Sequence, residues 1–169
     1  MPAAVQERTI PEAIRSLSTF ESPDYVDLFV APAEDATSAS PERWARAAME
    51  GAPALGRFLA WRVVCGLRLE QGPSADYVAG WKIDGRGEDW IRTEARSWFM
   101  TAHIVFRVEP ARVSFATFIR YDRAIAALIW GAASAIHRRV APDFLGSAVR
   151  RVRRGAGPPT AGSRAASAR

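Results

Sequence analysis

The sequence predicts an α+β fold: a curved antiparallel β-sheet wrapped around a long C-terminal helix, with two short helices after the first strand. Three observations carry this. Four consecutive segments between Tyr77 and Asp122 alternate with a period of two. A last long segment from about Asp122 keeps helical spacing instead. Between the first strand and the strand run, Ser40-Pro41 and Pro53 supply two helix starts.

The first strand is read in "DYVDLFVAP", Asp24–Pro32, which alternates and carries tyrosine, valine and phenylalanine. Before it lies an N-terminal arm with a short helix after Pro11. "PERWARAAME" follows Ser40, a natural N-cap, and stops at Gly51. "PALGRFLAWRVVCG" forms the second helix, with Leu55, Phe58, Leu59 and Val63 at helical spacing and Gly66 closing it. "YVAGWKID" then puts Tyr77, Ala79, Trp81 and Ile83 on one face, and Asp84-Gly85 begins a turn. In "DWIRTEARSW", Ile91, Thr93 and Ala95 oppose Trp90, Arg92, Glu94, Arg96 and Trp98. "FMTAHIVFRVE" has Met100, Ala102, Ile104, Phe106 and Val108 on one apolar face. After a turn at Glu109-Pro110, Val113, Phe115, Thr117, Ile119 and Tyr121 share a face. Short connections make these strands an antiparallel meander with one covered face. On the last helix, Ile125, Ile129, Ala132, Ala133, Ile136 and Val140 form the stripe expected to face the sheet, and Pro142 should end or kink it. The segment "DFLGSAVRRVRR" should add a further helical piece.

The chain of 169 residues suits one domain, and 49% hydrophobic residues can build its core. The expected organisation is an arm over 1–22, a domain over 23–154 and a disordered basic tail over 155–169. One cysteine, Cys65, excludes an internal disulfide and a cysteine-based zinc site. From Arg138 onward, eight arginines face one acid, Asp143. That segment carries +7, and the total of +5 leaves −2 for the rest. The basic character therefore belongs to the C-terminal end. No secretory signal is seen, and the apolar run Ala124–Ile136 is too short to span a bilayer, so a cytoplasmic protein is expected.

A sheet with one apolar face needs a cover, and the long helix is the only element large enough. The order of elements resembles the START/polyketide-cyclase-like superfamily (SRPBCC, the Bet v 1-like helix-grip fold). Three stretches also resemble an uncharacterised bacterial domain-of-unknown-function family within it: "DYVDLF" (24–29), "ERWARAAMEGAPALGRFL" (42–59) and "YDRAIAALIWGAASAIHRRV" (121–140). The Gly131–Ser134 stretch departs from it in having few large residues. The resemblance implies a pocket for a hydrophobic or aromatic small molecule between sheet and helix. It does not imply one activity, because the fold hosts carriers, cyclases, dehydratases and sensors.

Motifs for hydrolase elbows, phosphate loops and His-Glu-x-x-His metal centres are absent, and neither cofactor nor metal is expected. The ligand-binding candidates are Tyr77, Trp81, Thr93, Phe115, Thr117, Tyr121 and Trp130, an apolar set with a few hydroxyls. The catalytic candidates are His137, Tyr121, Asp122 and Glu94, for a cyclase, dehydratase or related lyase or isomerase on a polyketide-like natural product. Arg92, Glu94 and Arg96 read first as a solvated outer face. His103 lies on the odd face of its strand and should point to solvent or to a partner. His137 and Trp130 fall about 20° apart, at the border of the expected stripe. There His137 can pack at the rim, touch a ligand's polar end or act as a base. Asp24, Asp27 and Asp122 are its candidate carboxylate partners. The partners expected are a hydrophobic small molecule and, as a homodimer, a second copy. No nucleic acid is expected. Arg150, Arg151, Arg153 and Arg154 offer contact to an anionic membrane.

Overall fold

The computed structural model describes residues 4–155. Among the described residues, seven strands make one open antiparallel sheet in the order β1-β2-β7-β6-β5-β4-β3. Strands β1 (Val5–Glu7) and β2 (Tyr25–Pro32) flank helix α1 (Glu12–Arg15). Helices α2 (Pro41–Met49) and α3 (Ala54–Arg57) follow, and α3 widens into a π-helical segment over Phe58–Val64. Then come β3 (Tyr77–Val78), β4 (Trp81–Arg86), β5 (Trp90–Arg96), β6 (Met100–Glu109) and β7 (Arg112–Tyr121). Helix α4 (Ile125–Gly155) closes the described chain. The basic tail expected over 155–169 falls, after Gly155, outside the described residues.

The meander forms where the period-two pattern predicts it. Phe106 pairs with Phe115 and Ile104 with Thr117 across β6 and β7. One face, carrying Phe29, Ile91, Met100, Phe106, Phe115 and Ile119, packs in a single core with α2 and α4. Ser40 caps α2 by accepting the Arg43 N–H at 3.2 Å, with Pro41 at the first helical position. Trp44 on this helix is buried and donates its indole N–H to the Ala36 carbonyl at 2.9 Å.

The opposite face of the sheet is covered as well. Leu28, Val105, Ala116 and Phe118 pack under Ile14, with Ile10, Leu17 and Phe20 beside them. The N-terminal arm is thus a third layer, and its β1 is the edge strand that pairs with β2.

Several local expectations need correction. "YVAGWKID" is not one strand: Ala79 and Gly80 adopt positive φ (52° and 86°), and Val78 pairs back with Trp81 across them. This is the backbone of a tight two-residue hairpin turn. The Asp84-Gly85 pair is no turn, because β4 runs through it with a register shift between Ile83 and Gly85, a bulge. The second short helix keeps Leu55, Leu59 and Val63 exposed. Pro142 does not end α4, which continues thirteen residues beyond it.

The largest correction concerns the face of α4. Ile125, Ile136 and Val140 are exposed, while Ala126, Trp130, Ser134, Ala141, Leu145, Ala148 and Val152 are buried. The helix is turned so that the expected border, with Trp130 and His137, lies against the sheet.

Candidate functional site

On β2 and β7, Asp27 and Thr117 are direct cross-strand partners on the face beneath α4. Helical spacing brings Trp130 and His137, two turns apart, over this pair. His137 Nε2 lies 3.1 Å from Asp27 Oδ2 and 3.2 Å from Thr117 Oγ1. A carboxylate at that distance favours the tautomer with its proton on Nε2, which leaves the Nδ1 lone pair unclaimed by this contact. Tyr25 donates its hydroxyl to Asp27 Oδ2 at 2.6 Å and accepts from Arg138 at 3.3 Å. Burial, reinforced by Asp27, pushes the Tyr25 phenol well above the ordinary tyrosine range, so it remains a donor.

Aromatic rings wall this cluster. Trp130 meets Tyr25 edge-on at 5.2 Å and His137 at 5.4 Å. Phe29 and Phe115 lie 5.9 and 6.2 Å from the imidazole. Asp27 is only 2% exposed, whereas the His137 side chain keeps 20% of its surface. Two buried polar atoms here have no hydrogen-bond partner among the described residues: Asp27 Oδ1 and Trp130 Nε1. One is an acceptor and the other a donor, and both belong to side chains that touch or face His137.

The other expected site residues fall in different places. Phe115, Thr117 and Trp130 belong to this cluster. Tyr121 sits half-buried at the end of β7, its phenol pushed up by burial and by Asp24. Asp24 also accepts the Tyr121 backbone N–H at 2.6 Å. Thr93 is wholly buried and donates to the Ile104 carbonyl at 3.4 Å. Trp81 is buried against Trp61 at 5.5 Å. Asp122 accepts from Thr101 at 2.7 Å and from Arg120 at 3.0 Å. Burial opposes its ionisation, but these bonds win and hold its carboxyl below the usual range. Glu94 and Asp122 bond to residues on the outer face, so they do not share a site with His137.

Glu94 instead serves His103. The imidazole is fully buried rather than solvent-facing, because the arm covers it: Phe20 stacks on it at 3.8 Å. Ser18 Oγ lies 3.0 Å from Nδ1, and Glu94 Oε2 lies 3.1 Å from Nε2. Burial depresses the imidazole's proton affinity more than Glu94 restores it. A neutral ring then accepts from Ser18 and donates to Glu94. Glu94 itself is held below the usual carboxylate range, where bonds to Arg96 and His103 outweigh burial. The ligand atoms of Asp84, Glu94 and His103 lie within 4.8 Å of one another. Yet Arg92 holds Asp84 at 2.9 Å and Arg96 holds Glu94 at 2.8 Å. A divalent cation would have to displace both guanidinium groups, so the set is better suited to fastening the arm.

An open cleft of about 470 Å³ lies at the far end of the sheet, walled by Trp61, Arg62, Leu69, Glu70 and Tyr77 among others. Tyr77 is the one expected ligand contact that lines it. Two of the four terminal arginines are tied down locally: Arg150 donates to Ser147 Oγ at 2.7 Å, and Arg151 donates to the carbonyls of Ala47 in the last turn of α2 and of Gly51 just beyond it. Arg153 lies 3.6 Å from Glu34, and Arg154 is exposed. Among the described residues, no helix is long and apolar enough to cross a membrane.

No protein-family model, no curated protein and no solved structure matches the chain.

Sequence reasoning named His137, Thr117 and Trp130, and included Asp27 among three carboxylate partners for the histidine. It missed Tyr25. The signal was available, since Tyr25 and Asp27 sit two apart in an alternating strand and so share a face.

Proposed function

We propose that the protein binds an apolar or aromatic small molecule carrying one hydrogen-bonding end, on a helix-grip scaffold of the START/polyketide-cyclase-like kind. The open antiparallel sheet with a long C-terminal helix supports the scaffold. The observation that carries the ligand is the pair of buried, unpartnered polar atoms, Asp27 Oδ1 and Trp130 Nε1, beside a partly exposed His137. Buried polar groups are almost always satisfied, so an exposed-edge cluster with one spare donor and one spare acceptor suits a ligand's polar end. Ring walls from Phe29, Phe115 and Trp130 suit its apolar body. An environment-sensitive apolar dye should bind the folded protein and be displaced by aromatic carbonyl or phenolic ligands. Trp130→Phe should weaken the best of these about tenfold, the usual scale of one lost buried hydrogen bond. Equal affinity in wild type and variant would remove the cluster from the binding site.

A second reading is favoured by the setting of the imidazole. With Nε2 held between Asp27 and Thr117, Nδ1 can take a proton from a carbon next to a carbonyl. That is the step a cofactor-independent cyclase, dehydratase or isomerase needs. His137→Gln should then abolish turnover while leaving ligand affinity within about threefold. Loss of affinity without any turnover in wild type would return the protein to the binding reading.

A further inference from the structure

The cleft at the far end of the sheet shares no lining residue with the His137 cluster, and its walls are built from uncommon backbone. One wall is the π-helical segment Phe58–Val64, where the Cys65 N–H reaches the Ala60 carbonyl, five residues back, at 3.1 Å. Turns of this width are rare and recur at functional sites. Here they carry Trp61 and Arg62, both half-buried, on the cleft, while Leu59 and Val63 stay exposed. The other wall comes from Leu69 to Gly80. It is pinned where the Glu70 N–H donates to the Gly80 carbonyl at 3.0 Å. Beside that bond Ala79 holds φ 52°, a conformation alanine adopts only at a cost.

Four charged side chains line the cleft: Arg46, Glu50, Arg62 and Glu70. The first two satisfy each other. Arg46 bonds Glu50 at 2.7 Å, Glu42 at 2.8 Å and the Ser74 carbonyl at 3.0 Å. The second two do not. Arg62 donates to the Leu69 carbonyl but has no carboxylate partner among the described residues. Glu70, the residue after Leu69, makes no ion pair among them either. A guanidinium carries five N–H donors, so most of those on Arg62 are free. Two aromatic rings complete the lining. Trp61 is backed edge-on at 5.5 Å by the buried Trp81, and the Tyr77 hydroxyl has no hydrogen bond among the described residues.

We infer that this cleft binds a small zwitterion with an aromatic side chain, an amino acid or a dipeptide. Arg62 takes the carboxylate, with the forked geometry that a guanidinium offers. Glu70 takes the ammonium group, and the ring lies against Trp61 and Tyr77. Charge decides the class. A plain carboxylate would bring a second negative charge to the unpaired Glu70, and a plain amine a second positive charge to Arg62. A molecule with both groups neutralises both. The volume of about 470 Å³ falls within the usual range of small-molecule pockets. This site is separate from that of His137 and does not rest on the ligand proposed there.

Isothermal titration calorimetry on the full chain tests the assignment. L-Phenylalanine or L-alanyl-L-phenylalanine should bind with a dissociation constant in the millimolar range or tighter. 3-Phenylpropionate, which lacks the ammonium group, and phenethylamine, which lacks the carboxylate, should each bind at least about tenfold more weakly. Glu70 is exposed and makes no side-chain bond among the described residues, so Glu70→Gln should fold normally. It should weaken phenylalanine about tenfold and tighten 3-phenylpropionate. Arg62→Gln should do the reverse, weakening phenylalanine about tenfold or more and tightening phenethylamine, with an unchanged circular dichroism spectrum. No binding of either zwitterion at millimolar concentration overturns the inference, and so does 3-phenylpropionate or phenethylamine binding as tightly as phenylalanine. Binding that survives Arg62→Gln but is lost in His137→Gln also overturns it, because the zwitterion would then occupy the other cluster.

Discussion

Replacing Asp27 with asparagine should cost the fold little and the ligand site much. Asp27 is nearly fully buried; its Oδ2 accepts a strong bond from Tyr25 at 2.6 Å and a second from His137 Nε2 at 3.1 Å. A hydrogen bond to a charged acceptor contributes about 1.5–3 kcal/mol. Against it stands Oδ1, buried with no partner, at a penalty of about 1–3 kcal/mol. Asparagine keeps an acceptor for Tyr25 and removes the buried charge. Removing one member of a buried ion pair is normally severe because the other charge is stranded. Here the other member, His137, is partly exposed, and its Nε2 keeps Thr117 Oγ1 at 3.2 Å as a second partner. The net change in stability should therefore stay within about 1 kcal/mol, either way, in urea unfolding followed by tryptophan fluorescence. The same variant should weaken the best displacing ligand by about tenfold or more. A loss of more than about 3 kcal/mol, with ligand affinity intact, would refute the reasoning and make Asp27 a structural anchor.

Four further outcomes follow from other parts of the molecule. His103 has its folded-state proton affinity depressed by burial, so its contribution to stability is present above its unfolded value, about pH 6.5, and is lost as pH falls through the folded one. The arm over Ser18 and Phe20 should thus become more protease-sensitive as pH falls below about 6.5, and a His103→Phe variant should lose that dependence; a flat profile in wild type would contradict it. Gly80→Ala should cost about 2 kcal/mol, because its φ is +86° and a Cβ would meet the Glu70 carbonyl oxygen at 2.6 Å. Ala79→Gly, at φ 52°, should stabilise by about 1 kcal/mol in the same urea assay. Pro142→Ala should stabilise by about 1–3 kcal/mol, since it lets an N–H return to the helical ladder that α4 continues on both sides; an unchanged midpoint would show the proline already accommodated.

The strand meander was legible because its alternation is unambiguous: every even residue from Met100 to Val108 is apolar, and these residues are buried together with α2 and α4. The turn of α4 was not, for a physical reason. Its first three turns are apolar or small on all sides, so spacing there carries no direction, and the larger isoleucines draw the stripe to the wrong face. The second half is decisive. Leu145, Ala148, Val149 and Val152 alternate with Asp143, Arg150 and Arg153, and projecting their face backward arrives at Trp130 and His137. His103 was misjudged differently. Its strand face was read correctly, but nothing in an alternating strand tells that a distant segment, here Ser18 to Phe20, will fold back over it. The turn at Ala79-Gly80 was hidden because alanine seldom takes positive φ.

The place of β2 has a consequence for how this chain comes off the ribosome. It pairs with β1, made moments earlier, and with β7, made only after the whole meander. Until Ile119 has been synthesised, the inward row of Tyr25, Phe29 and Ala31 has no neighbour along one edge and no helix above it. The emerging N-terminal half is therefore a two-stranded ribbon with an open, apolar side, the kind of nascent segment that chaperones hold. Joining it to the finished meander closes the longest loop between neighbouring strands of the sheet and should be the slow step of folding. A translational pause after Tyr121 would help assembly, and one before Arg112 would expose the ribbon longest.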